Sequence, residues 1–161
     1  MLLVITIILI TTLQLGFLPG LNYNLALFVN LPLLFIVFIT FFYHTETAIV
    51  AALFLGLMLD LYSPLFFGFY IILFLIEISV IRFFILHILQ NKNLAVFLLV
   101  NLLAVLIWQI IYLAIIIFQG NLTGQYLANI LWQLLAHSAL VLIFYKISPR
   151  FKFKLASQLV A

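Results

Sequence analysis

The sequence predicts an all-α, polytopic integral membrane protein of six transmembrane helices, and three observations lead there. The chain is 70% hydrophobic and only 6% charged over 161 residues, against roughly 45–50% apolar and about 25% charged in a soluble domain. Apolar stretches of helical length recur six times, divided by short polar or Pro/Gly-containing breaks, and one span takes about 20 apolar residues. Finally, the six Lys and Arg residues fall on one side of the topology that six spans generate. With little chain left over, the whole length reads as one transmembrane domain. No cysteine is present, so disulfides, thiol nucleophiles and Cys-ligated metals drop out.

The first span is expected over residues 2–17, where Gly16, Pro19 and Gly20 interrupt it. It lacks a basic n-region and an A-x-A-like cleavage site, so it reads as a retained span. Its polar residues, Thr6, Thr11, Thr12 and Gln14, suit bonds back to helix carbonyls or to neighbouring helices. The second span is placed at 25–43 with Pro32 in its first turns. After the His44–Thr47 break, Thr45 or Thr47 is placed to cap the third span, at 47–61. The fourth span covers 65–89 and carries Glu77 near its middle, with Arg82 and His87 further on. The fifth runs over 94–118 with Asn101, Trp108 and Gln109, and the sixth over 126–145. In the sixth, Asn129, Gln133 and His137 recur every four residues and share a face. A basic tail, 146–161, follows.

Charge sets the orientation. The N-terminus, the turns near 45 and 91 and the tail lie on one side, and the Lys and Arg residues lie on or toward it. By the positive-inside rule that side is cytoplasmic, so both termini are cytoplasmic. Lys146, Arg150, Lys152 and Lys154 crowd the tail, alternating with Phe151 and Phe153, a pattern suited to anionic lipid headgroups and not to nucleic acid.

Gly56 to Tyr70 is the focus of the chain. Asp60 puts a carboxylate in an apolar segment, which marks a functional or structural site because an unrelieved charge there costs several kcal/mol. Ser63-Pro64 enforces a turn, and Gly56 and Gly68 flank it. Ala48, Ala52 and Gly56, four residues apart, form a helix-packing face for a partner span or for another helix of the same bundle. Intramembrane polar positions are Glu77, Asn129, Gln133 and His137.

Catalysis fits poorly. The three histidines lack H-E-x-x-H spacing, no G-x-S-x-G elbow is present, and an intramembrane aspartyl protease needs two aspartates where this chain has one. No catalytic residue, metal site or cofactor is assigned.

The stretch Gly56-x-x-x-Asp60-Leu61-x-Ser63-Pro64-x-x-x-Gly68, between the third and fourth of six spans with basic cytoplasmic ends, resembles the rod-shape-determining MreD family. That family's recurrent stretch is a Gly-Leu-Leu-Leu-Asp-like helix end followed by a turn and Pro-Leu-Gly. Here Phe66-Phe67 separates Pro64 from Gly68. The resemblance implies a non-enzymatic scaffold of the bacterial cell-elongation (rod) complex in the inner membrane. It would control cell shape and peptidoglycan synthesis by binding an MreC-like membrane protein, and through it MreB, RodA and a class B penicillin-binding protein. It also implies a helix arrangement similar to the S-components of energy-coupling-factor transporters. A substrate-binding subunit of a vitamin or small-molecule transporter is therefore the alternative.

Overall fold

In a computed structural model, describing residues 2–21, 29–63, 65–88, 94–118 and 124–147, the chain is all-α. Its six principal helices are α1 (Leu2–Thr12), α2 (Leu31–Phe42), α3 (Thr45–Tyr62), α4 (Phe69–His87), α5 (Leu94–Phe118) and α6 (Gly124–Ile147). Among the described residues, three apolar segments are long enough to cross a bilayer: Thr45–Tyr62, Phe69–His87 and Leu94–Ile115. This is the signature of a multi-pass membrane protein. The apolar parts of the other helices, Leu3–Phe17, Leu31–Phe42 and Ile130–Ile143, are shorter.

The first helix does not stop where its glycines and proline suggest. It passes through a π-helical stretch, Leu13–Phe17, into a further turn, Leu18–Leu21. The Leu18 N–H bonds to the Leu13 carbonyl, five residues back. Pro19 has no N–H to give and its ring crowds the carbonyl four residues before it. A widened turn just ahead of it relieves that conflict without ending the helix. Thr11 and Thr12 donate to the carbonyls of Ile7 (2.8 Å) and Ile8 (2.9 Å), as their place in an apolar helix requires.

α2 is shorter than the expected 25–43. Residues 29 and 30 are not helical, and Asn30 is the N-cap, its side chain accepting from the Leu33 N–H at 3.1 Å. Pro32 stands at the helix start, where its missing donor costs nothing. The Leu31 N–H is satisfied from another element, by the Gln14 side-chain oxygen at 3.0 Å. Twelve residues make about 18 Å of helix, well short of a ~30 Å hydrocarbon core.

Tyr43 and His44 are extended, and α3 begins at once. The expected threonine cap is absent: Thr45 is the first helical residue, and His44 is the N-cap with no side-chain bond. With only two extended residues between the helices, the chain has no room to place a threonine ahead of the turn. Glu46, in the first turn, puts negative charge at the positive end of the helix dipole.

The chain packs as two units, up to Arg82 and from Phe83 onward. In the first, Ile7 of α1, Leu33, Ile36, Val37 and Phe41 of α2, and Ala48, Ala52 and Leu55 of α3 are buried. The opposite side of α3 presents Ile49, Val50, Leu53 and Phe54 to the surroundings. Small residues inward and large apolar residues outward is the pattern of a helix that packs on protein at one face and lipid at the other. In the second unit α5 and α6 pack together, with Phe97, Val100, Ala104, Val105 and Val141 buried.

Candidate functional site

The stretch singled out in the sequence folds as a connection between α3 and α4, in which Gly56, Asp60, Ser63 and Gly68 each have a visible task. Gly56 admits the next helix: a Cβ there would lie 2.8 Å from both Cα and N of Ile71. Asp60 is only 5% exposed. Its Oδ1 accepts from the Tyr70 N–H at 2.9 Å, one of the first N–H groups of α4, which have no partner within their own helix. A carboxylate from the end of one helix thus caps the start of the next and meets the positive end of its dipole. Oδ2 is buried without a hydrogen bond among the described residues.

Between them, the Ser63 hydroxyl accepts from the Leu65 N–H at 3.1 Å, a local turn that the residue type favours. Gly68 has φ +95, a conformation that L side chains rarely adopt, and its carbonyl accepts from the Ile72 N–H at 3.0 Å. These turn residues delay α4 to Phe69, four residues later than the expected start. Pro64 lies outside the described residues. Leu61, Tyr62, Phe66 and Phe67 are exposed around the turn, as suits an apolar and aromatic surface at a membrane interface.

Ala48 and Ala52 are fully buried, as is Ala51 beside them. The small-residue face is therefore covered by the chain itself, with Ile71 of α4 against Gly56.

The other predicted positions separate into distinct places. Glu77 is completely buried in the middle of α4, and neither carboxyl oxygen has a hydrogen-bond partner among the described residues. Arg82, a turn and a half further on, donates through its guanidinium to the Tyr43 carbonyl at the C-terminal end of α2. There a cation meets the negative end of a helix dipole. In the second unit, the Gln133 side-chain oxygen accepts from the Gln109 amide nitrogen, joining α5 to α6, while His137, a turn beyond Gln133, is fully buried. Asn129 lies in α6 with its side chain outside the description, as does that of Lys146. Arg150, Lys152 and Lys154 fall outside the described residues. Among the described residues no group of His, Asp or Glu is arranged to hold a metal ion.

Sequence reasoning missed three connections. Asn30 was detectable as a cap from Asn30-Leu31-Pro32, a polar residue just ahead of a proline-started helix. The Gln109–Gln133 bond and the Arg82–Tyr43 contact join residues 24 and 39 positions apart, and no local pattern announces either. No family model matches this chain, and no curated protein or solved structure is significantly similar to it.

Proposed function

We propose that this protein is a non-enzymatic membrane scaffold of the bacterial cell-elongation complex, of the MreD kind. In this reading it spans the inner membrane six times with both termini cytoplasmic and binds an MreC-like protein. Through that protein it bears on MreB, RodA and a class B penicillin-binding protein, and so on cell shape and peptidoglycan synthesis. The observation that carries the reading is the cooperation of Gly56, Asp60, Ser63 and Gly68 in one connection. The residues that resemble the family's recurrent stretch are those that fix the angle and spacing of two consecutive spans. A scaffold needs such rigidity, because a partner span docks on a surface that must already be in place.

Since the Ala48–Ala52–Gly56 face is occupied within the chain, the partner is assigned to the outward sides of the helices. The basic tail, Lys146 to Lys154, contributes anionic-lipid contact at about 1 kcal/mol per cation near the surface.

The test is reciprocal co-purification from bacterial membranes with a co-expressed MreC-like protein, together with complementation of cells that have lost rod shape. Specific capture and restored rods support the scaffold. Absence of both, with tight vitamin binding by the purified chain, replaces it with the transporter-subunit alternative.

A further inference from the structure

The two ends of the α3–α4 pair differ in kind. Where α2 passes into α3, Tyr43, His44, Thr45 and Glu46 are exposed, and Arg82 of α4 reaches the Tyr43 carbonyl. That end carries the ionisable groups expected of helix ends in contact with water. At the other end the surroundings meet Leu61, Tyr62, Phe66 and Phe67, which are 62–72% exposed. Asp60 is the only charged residue between Glu46 and Glu77, and its carboxylate is turned inward onto the Tyr70 N–H. The Ser63 hydroxyl is likewise engaged within the turn, on the Leu65 N–H.

The outward surface of α3 reaches this end without a polar break. Ile49, Leu53, Leu57 and Leu61 follow at four-residue intervals, as do Val50, Phe54, Met58 and Tyr62, and every one of them is exposed or half-buried. They form two adjoining apolar rows that wind slowly round the helix. Phe66 carries the surface past the helix end and is held there: its ring packs edge-on against buried Phe69 with 5.4 Å between centroids, and its carbonyl accepts from the Phe69 N–H at 3.2 Å. From Glu46 to Tyr62 the helix rises only about 24 Å at 1.5 Å per residue, short of a ~30 Å hydrocarbon core. With Glu46 at one aqueous boundary, Tyr62 does not clear the other.

We propose that the α3–α4 connection is a lipid-binding tip, in which Leu61, Tyr62, Phe66 and Phe67 hold phospholipid by its glycerol and upper acyl-chain region in the leaflet opposite Glu46. Soluble surfaces rarely leave so apolar a patch uncovered, whereas the boundary between headgroups and acyl chains takes aromatic and aliphatic side chains readily. The Tyr62 phenol suits the polar edge of that layer, and Phe66 and Phe67 place only apolar side-chain atoms in it. With no exposed charge among the described residues of the tip, the contact is indifferent to headgroup charge, unlike that of the basic tail. It concerns the chain in lipid and stands independently of the scaffold reading.

The absence of native cysteine makes the depth of the tip measurable. Phe66→Cys and Phe67→Cys are made one at a time in the full chain, given a nitroxide spin label and reconstituted into phosphatidylcholine vesicles. Glu46→Cys serves as the aqueous reference and Phe54→Cys as the lipid-facing one. Collision rates are measured with oxygen, which concentrates in the bilayer, and with a water-soluble nickel chelate. The oxygen-to-nickel ratio at positions 66 and 67 is expected to exceed that at 46 by at least about fivefold and to approach that at 54, as immersion of about 5–10 Å in the headgroup–acyl boundary implies. If Phe66→Cys does not fold, Phe67→Cys reports on the same tip. Nickel collisions as frequent as at 46 overturn the proposal by placing the tip in water, and few collisions with either reagent overturn it by showing that protein covers the tip. The ratio is expected to be the same with phosphatidylglycerol added, and immersion seen only in its presence overturns the charge-independent contact.

Discussion

Gly56 and Ile71 touch through backbone. The missing side chain of Gly56 is replaced by the Cα and N atoms of Ile71, which would stand 2.8 Å from a Cβ, with the Ile71 side chain at 2.9 Å. Because backbone atoms cannot rotate away, Gly56→Ala should force α3 and α4 apart and destabilise the protein by about 1–3 kcal/mol. Shortening Ile71 removes only one of the three contacts. The double variant Gly56→Ala/Ile71→Ala should therefore remain less stable than Ile71→Ala alone, measured as the thermal unfolding midpoint in detergent. Full recovery in the double variant would show that the contact is with side chain only.

Asp60 acts through a single oxygen on the Tyr70 N–H, a role that an amide oxygen can also fill. Asp60→Asn should keep most of the cap, and Asp60→Ala should lose about 1 kcal/mol, the usual cost of an N-cap. In cells, the scaffold reading expects Asp60→Ala to impair shape control while the protein still inserts. Equal unfolding midpoints for the two variants would mean that the hydrogen bond contributes nothing, and normal rods from both would remove the stretch from function.

Arg82 reaches the carbonyl that ends α2. Removing the charge with Arg82→Met should cost up to about 1 kcal/mol from the lost dipole and hydrogen-bond interaction, whereas Arg82→Lys keeps the charge and should lie between. Hydrogen exchange at the last turn of α2 is the direct readout, with faster exchange expected in the Met variant than in the Lys variant.

The Gln109–Gln133 bond offers a double-mutant cycle with leucine at each position. A coupling energy of about 0.6 kcal/mol, and at most about 1.7, is expected from interhelical hydrogen bonds in membrane proteins. A coupling of zero would mean that α5 and α6 owe their register to apolar packing alone.

Orientation is tested with single cysteines. Asn22, Ser63 and Asn121 should label with an impermeant maleimide on intact cells, and Asn91 and Ser157 only after lysis. Outside labelling at Asn91 or Ser157 would reverse or break the six-span topology.

Composition and the placement of breaks were enough to read the all-α membrane class and the order of the helices, because those depend on the length of apolar runs. The start of α2 was misplaced, since Leu25 to Asn30 continues an apolar run while the Asn30 side chain and Pro32 set the boundary by hydrogen bonding. Asp60 was legible as an anomaly, but its partner was not. The Tyr70 N–H lies ten residues on, across a turn whose path depends on Gly68 at φ +95.

The brevity of α2 bears on how the protein is made. Nine of its twelve residues are buried, among them Thr40, so this helix rests on protein far more than on lipid. Such a segment has too little length to settle by itself when it emerges from the ribosome and enters the translocon. Its insertion is then coupled to that of α3, synthesised directly after it, which supplies the Ala48–Ala52 surface, so that the two helices enter as a pair and not by independent insertions.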